Sequence, residues 1–177
     1  MASTSRSVVS FAMALLAVSL QTLAAPEFEP AGAHADLVGK PAPDFTLRAL
    51  SNENRRLSEH LGEVVLINFW GSWCGSCRQQ MPQLDQLYQK YRLAGLTLLS
   101  VNLDESAARA AEMVRALKIS YPVLMDERKQ VSRAYRIDTL PVTVLVDREG
   151  VVRYVGAGYQ PGQAQRDAEQ LRKLLNE

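Results

Sequence analysis

From Phe69 to Pro82 the chain reads FWGSWCGSCRQQMP, and within it stand Cys74 and Cys77, the only two cysteines among 177 residues. Bridges that staple a fold generally close long loops, because loop length sets how much unfolded-state entropy is removed. A bridge here closes only about four residues and is worth roughly 2 kcal/mol on the chain-entropy relation, less if strained. Reactivity therefore explains the pair better than stapling does.

The flanks say where the pair sits. Just before it, EVVLINFW (Glu63 to Trp70) is a nearly continuous apolar run, as expected of a strand buried on both faces. After it, Met81, Leu84, Leu87, Tyr88 and Tyr91 recur at spacings of three and four, one face of a helix. Pro82 lies inside that helix and cannot donate to the carbonyl of Arg78, which predicts a kink or an irregular first turn. Cys74 thus falls where a strand ends and a helix begins. Open α/β sheets place their sites at the carboxyl ends of strands, and the free amides of a helix start favour an anion. A thiolate is such an anion, and its pKa, about 8.5 when free, falls to roughly 3.5 to 7.5 in settings of this type. Cys74 is the expected nucleophile; Cys77, one turn further in, is placed to attack Cys74 once a mixed disulfide has formed. Ser76 offers a hydroxyl and a backbone amide, both able to donate toward the Cys74 thiolate.

Further out, DFTLRALSNENRRLSEH alternates Phe45 and Leu47 with polar residues, turns at Ser51 to Asn54 and resumes at Leu57, the pattern of a small hairpin. LTLLSVNL is a second buried strand. Ala107, Ala110, Ala111, Val114 and Leu117 mark a second helix, PVLM a short strand, and Val131, Ala134 and Tyr135 a third helix. VTVLVD and VVRYVG flank REG as two strands joined by a tight turn. Ala164, Ala168, Leu171 and Leu175 outline a terminal helix. Strands alternating with helices at this spacing imply an α/β domain with a mainly parallel sheet, helices on both faces, and an antiparallel pair at the end. There is no internal repeat and no second domain.

The first residues speak to compartment. Arg6, an apolar run from Val8 to Leu20, and small residues around Ala24 and Ala25 have the layout of a secretory signal peptide over residues 1–24. The run is shorter than the roughly 20 residues of a membrane-spanning helix, although the flanking QTLAA extends it enough to keep an uncleaved anchor as the alternative. Residues 25–41 then read as a flexible leader and 42–177 as the domain. Arg6 is the only ionisable side chain before residue 25, so the 20 basic residues fall to 19 against 19 acidic ones. A near-neutral chain whose basic residues come in ones and twos gives no reason to expect nucleic acid or an anionic membrane surface as a partner.

Taken together, NFWGSWCGSC with QQMPQL behind it, DFTLRALSNENRRLSEHLG before it and TLPVTVLVDREGVV near the end resemble the TlpA/ResA-like branch of exported bacterial thioredoxins. The resemblance spans Gly39 to the C-terminus. It implies a thioredoxin fold with an N-terminal β-hairpin and an inserted strand-helix unit at roughly Asn102 to Tyr121. It further implies that Cys74 is the exposed attacking thiol, Cys77 the resolving thiol, Trp73 part of the docking surface, and Pro141 a cis-proline beside the disulfide. With it come substrate contacts from Thr139 and Leu140, whose backbone offers groups for β-type pairing. Trp70 is expected in the core. Three positions depart from the family pattern and tune the site: Ser76 stands where many relatives carry proline, Asn68 where cytosolic thioredoxins carry a buried aspartate, and Gln80 where some cytochrome-maturation members carry glutamate. The tripeptide TLP also lacks the Gly-Ala-Pro pattern of the dedicated cytochrome-maturation reductases.

The expected activity is exchange of disulfides with protein substrates in the periplasm. The chain would act as a monomer with no cofactor beyond its own cysteines, in the reductase direction, and a membrane thiol reductase would supply electrons. A disulfide oxidase or isomerase is the alternative direction. A binding scaffold with a structural disulfide is a different class altogether. Thiolate pairs bind soft metals, but the only histidines, His34 in the leader and His60 on the hairpin surface, both precede the cysteines, so a metal-delivery site is incomplete. A peroxidase is disfavoured because tryptophans, not threonine and proline, frame the approach to Cys74.

Overall fold

The computed structural model describes His34 and residues 36–176. The signal-peptide reading and the first part of the leader lie outside the described residues. Seven strands form one sheet in the order β2-β1-β5-β4-β3-β6-β7. They are β1 (Thr46–Ala49), β2 (Asn54–Arg56), β3 (Val64–Trp70), β4 (Leu96–Asn102), β5 (Val123–Met125), β6 (Val142–Val146) and β7 (Val152–Ala157). Among the described residues four α-helices accompany them: α1 (Gly75–Tyr91), α2 (Ala107–Ala116), α3 (Gln130–Ala134) and α4 (Gln163–Leu175). Among the described residues, no helix is long and apolar enough to cross a membrane.

Every residue of β3 is buried, because the strand lies between β4 and β6 with a packed layer on each face. Its alternate side chains divide the core. Val65, Ile67 and Phe69 join one cluster with Phe45, Val131 and Tyr135 from the hairpin and α3. Leu66 and Trp70 join another with Met81, Leu84, Ala110, Met113 and Leu171 from α1, α2 and α4. This is the thioredoxin-like α/β arrangement that the sequence implies, and the hairpin joins the same sheet through β1 and β5. The parallel part is narrower than expected: β3, β4 and β5 run parallel, but β6 enters antiparallel to β3. From β5 the chain passes through α3 to β6 on the far side of β4 and β3, and β6 arrives antiparallel, a direction that the alternation of elements alone does not fix.

Other differences are local. The segment expected to hold an inserted strand and helix contains helix α2, with its companion strand β5 just beyond it. Helix α1 runs unbroken through Pro82. The last residues of the expected leader are folded onto the sheet: Leu37 is buried, the Gly39 amide donates to the Val152 carbonyl at 2.8 Å, and Pro41 bridges to Val151. His34 is buried with Nε2 3.7 Å from the Asp138 carboxylate, and His60 is half-buried with Nδ1 3.1 Å from Glu63. Ala107 and Ala134 face solvent; Met113 and Ser132 occupy the buried sides of their helices.

The largest departure is on α4: of the expected Ala164, Ala168, Leu171 and Leu175 only Leu171 is buried, and Gln163, Asp167 and Leu174 complete the stripe. The helix is turned because partners await the polar pair. Tyr154 Oη and Gln163 Nε2 donate to Asp167 Oδ1 at 2.9 and 2.7 Å. Register aligns Ser100, Asn68, Thr143 and Gly156 in one row across β4, β3, β6 and β7. Gly156 ends this row where the α4 side chains approach the backbone. A Cβ there would stand 2.8 Å from both Gln163 Nε2 and Tyr154 Oη and 3.1 Å from Asp167 Oδ1. Gly156→Ala should therefore destabilise the fold by about 2 kcal/mol, seen as a fall in Tm of roughly 4–8 °C for a domain of this size in thermal melts of the oxidised protein.

Candidate active site

Cys74 is the N-cap of α1 and has an extended backbone (φ −88°, ψ 105°). It joins β3 to the helix through the loop Gly71-Ser72-Trp73. In the oxidised structure Cys74 and Cys77 are bonded, with S–S 2.02 Å and Cα–Cα 5.2 Å. The two sulfurs live in different surroundings: Cys74 is partly exposed, whereas Cys77 is wholly buried beside Trp70 and Met81. The Cys77 amide donates to Cys74 Sγ at 3.1 Å, and the Ser76 hydroxyl lies 3.4 Å from the same sulfur. The hydroxyl expected of Ser76 is thus in place. The amide that reaches the sulfur is the one from Cys77, since a capping side chain at a helix start meets the second or third amide of the first turn.

The loop before Cys74 is held from a distance. Asp104, buried just past the end of β4, accepts from the Ser72 amide at 3.0 Å and the Ser72 hydroxyl at 2.5 Å. Asn102 holds Asp104 in turn, its Nδ2 donating to Oδ2 at 2.6 Å and its Oδ1 accepting from the Asp104 amide at 2.9 Å. Sequence reasoning missed Asp104; its place directly after a buried strand, on the edge that carries the cysteines, was the available signal. Trp73 is 62% exposed and its ring lies over Gly71, where a Cβ would come within 2.7 Å of it. The ring borders an open groove of about 640 Å³ that also touches Leu103, Glu105, Arg109 and Lys129. Trp70, by contrast, is fully buried, as expected.

Residues 139–141 reach the same end of the sheet, because Val142 at the start of β6 pairs with Phe69 near the end of β3. The Leu140–Pro141 peptide is cis. Pro141 is buried, Thr139 exposed, and Leu140 packs against both core clusters. The Pro141 carbonyl accepts from Gly158, while neither backbone group of Thr139 or Leu140 makes a hydrogen bond among the described residues. Beneath the disulfide, Asn68 Nδ2 donates to Gln80 Oε1 at 3.0 Å and Gln80 Nε2 donates to Thr143 Oγ1 at 3.1 Å, all three residues being buried. The structure thus brings together all nine residues singled out from the sequence: Cys74, Ser76 and Cys77 at the helix start, Trp73 and Thr139 to Pro141 beside it, Asn68 and Gln80 below. Among the described residues, no group of three or more His, Cys, Asp or Glu side chains is placed to hold a metal ion.

A sheet of this topology with a Cys-Gly-Ser-Cys pair at the start of its first long helix defines a thioredoxin-like protein. The comparisons agree with that class: the chain belongs to the AhpC/TSA family, whose model matches residues 38–155. It is similar to the thiol-disulfide oxidoreductase ResA of Geobacillus kaustophilus (strain HTA426), 36% identical over 121 residues that make up 68% of this chain and 70% of the relative. ResA of Bacillus subtilis (strain 168) is 32% identical over 72% of each chain. Among solved structures it resembles a Chlorobium tepidum chain described as a thiol:disulfide interchange protein DsbE. That match has a TM-score of 0.75 and 33% identity, covering 78% of this chain and 97% of the other. The protein is a thiol-disulfide oxidoreductase of the thioredoxin-like kind.

Two outcomes check this geometry. Ser76→Ala removes one neutral donor worth about 1 kcal/mol, so the Cys74 pKa should rise by somewhat under one unit and the pair should become more reducing by about 20 mV in a glutathione titration. Asp104→Ala leaves the Ser72 donors unpaired. It should lower stability by about 1–3 kcal/mol in urea unfolding and slow exchange, because the loop bearing Trp73 loses its anchor.

Proposed function

We propose that the chain is an exported thiol-disulfide reductase of protein substrates, with Cys74 as attacking and Cys77 as resolving thiol. The observation that carries this reading is the inequality of the two sulfurs: one at the surface at a helix start, facing an amide and a hydroxyl, the other enclosed by the core. A Cys74 thiolate would receive the Cys77 amide as a charge-assisted donor at the positive end of α1. It attacks a client disulfide and forms a mixed disulfide. Cys77 then attacks Cys74, releasing the client as a thiol and closing the bridge seen in the structure. Trp73 supplies apolar contact, and the unbonded backbone of Thr139 and Leu140 pairs with an extended client segment. Asn68, Ser76 and Gln80 tune the pair. The sequence of residues 1–24 supports a periplasmic location, with the domain working as a monomer and a membrane thiol reductase restoring the dithiol. No cofactor is required beyond the two cysteines.

One observation favours the opposite direction. Donors at Cys74 stabilise the thiolate, hence the reduced pair, hence a stronger oxidant. The potential relative to the partners decides between the directions, 30 mV being worth about 1.4 kcal/mol.

The inequality of the sulfurs is testable. Cys77→Ala should hold client proteins as mixed disulfides through Cys74 on a non-reducing gel of a periplasmic extract. Cys74→Ala should hold none, and its remaining thiol should react slowly with alkylating reagents near neutral pH. Equal trapping would reverse the assignment; no trapping by either variant, with a bridge that resists dithiothreitol, would replace the enzyme reading by a structural one.

A further inference from the structure

Gly71, the first residue after β3, is a glycine for a reason other than its backbone. Its φ is not among the positive values found at Gly95 and Gly158, so an alanine could adopt the same conformation. What stands in the way is one side chain. A Cβ at Gly71 would lie 2.7 Å from Cη2 and Cζ2 of Trp73 and 2.8 Å from its Cε2, and apart from chain neighbours these ring atoms are the nearest to it. Gly71 is itself buried, while the side chain that covers it is 62% exposed. A large apolar ring that could point into water lies instead against the main chain two residues before it.

With a Cβ present, either the loop or the ring would have to move. The loop is held along its whole length. The Leu103 amide donates to the Trp70 carbonyl at 2.8 Å, the Cys74 amide donates to the Gly71 carbonyl at 3.0 Å, and the Ser72 amide and hydroxyl donate to Asp104 at 3.0 and 2.5 Å. The ring, the far end of a mostly exposed side chain, is the part that yields.

We infer that Gly71 is a positioning residue for client exchange: by carrying no side chain it lets Trp73 lie back on the loop, which makes the ring a fixed wall and keeps the groove beside it open. The inference rests on the reading of Trp73 as a client contact. That groove, about 640 Å³, runs from the ring to Leu103, Glu105 and Arg109, and Cys74 is the next residue along the chain. A ring pushed off Gly71 takes its space from the groove or from the approach to Cys74, the two places a client enters. It also becomes a mobile side chain that a docking client must immobilise, which weakens binding. Glycine at position 71 otherwise works against the fold, since it widens the unfolded ensemble relative to an alanine that fits the same backbone. The sulfur chemistry does not depend on this contact, because the Cys77 amide and Ser76 hydroxyl that face Cys74 Sγ belong to α1. Gly71→Ala therefore separates recognition from chemistry.

The test uses the full chain labelled with fluorotryptophan, whose two tryptophans give two fluorine NMR resonances, with that of Trp73 assigned by its loss in Trp73→Phe. In the oxidised protein Gly71→Ala should move the Trp73 resonance more than that of the buried Trp70. Unlabelled protein, reduced with dithiothreitol and freed of it, is then oxidised by insulin or by hydroxyethyl disulfide, which is too small to span the groove. The rate constant with insulin should fall about two- to tenfold in Gly71→Ala, and the rate constant with the small disulfide should not change. In a Trp73→Ala background, adding Gly71→Ala should cost nothing further, as expected of two residues that act through one ring. An unmoved Trp73 resonance, equal slowing with both disulfides, or additive losses in the double variant overturns the proposal. So does a Gly71→Ala chain that fails to fold, because the ring then does not yield. A wild-type bridge that dithiothreitol cannot open overturns the functional reading along with it, whereas a wild-type chain that reduces insulin no faster than its Gly71→Ala variant overturns the positioning role alone.

Discussion

The Cys77 amide pointing at Cys74 Sγ is the contact on which the rest of the site depends, because it exists only if α1 begins at Gly75. A helix start shifted by one residue would aim that amide elsewhere and leave the thiolate to water. Several constraints hold the start in register. Strand β3 is pinned between β4 and β6 over most of its length, so Trp70 cannot slide. The Leu103 amide donates to the Trp70 carbonyl at 2.8 Å, which carries the pairing one residue beyond the strand. Asp104 then clamps Ser72, and the Cys74 amide closes the turn on the Gly71 carbonyl at 3.0 Å. Four residues of loop are thereby fixed by a strand end that lies 32 positions away in sequence.

Below the cysteines the core is polar where an apolar one would pack more simply. Leu98, Leu66, Leu145 and Tyr154 form one row across the α1 side of the sheet; the next row toward the cysteines is Ser100, Asn68, Thr143 and Gly156. Burying amides and hydroxyls costs free energy unless they are bonded. Gln80 bonds to Asn68 on one side and Thr143 on the other, so that α1 is tied to two adjacent strands at the level just inside Cys77. The satisfaction is incomplete, for Asn68 Oδ1 and Trp70 Nε1 have no partner among the described residues. A core left under-satisfied beneath a redox pair is where local consistency gives way to function.

The sequence made some of this legible and hid the rest for identifiable reasons. Strand β3, helix α1 and the junction between them are local features: an apolar run, a 3.6-residue period and a cysteine in a capping position, each readable in a short window. Trp70 and Trp73 also separated correctly, one into the core and one to the surface. What could not be read depends on register between distant segments. The row that aligns Asn68 with Thr143 and Gly156 is made by pairing strands some 75 residues apart. The turn of α4 toward Gln163 and Asp167 departs from the hydrophobic period at those positions, although Leu171 is buried as the period implies, because hydrogen-bond partners on β7 outweigh the burial of two alanines. Burial of His34 and the docking of Leu37 failed for a related reason: a polar, proline-bearing stretch has no period of its own and takes its place from the edge it meets.

Rigidity on one side of the disulfide and open backbone on the other have a consequence for recognition under the proposed function. Trp73 is large, exposed and apolar, yet it is not free to roam, since its ring rests on Gly71 and the neighbouring Ser72 is bonded twice to Asp104. An anchor already held in place gives up little entropy when a client docks. Thr139 and Leu140 contribute main-chain groups, which pair with any extended segment whatever its side chains. A rigid apolar ring plus unspecific backbone pairing selects clients by the presence of an accessible disulfide in an extended strand, and by little else; discrimination then has to come from the groove beside Trp73, where Glu105, Arg109 and Lys129 place both signs of charge within reach of a bound chain.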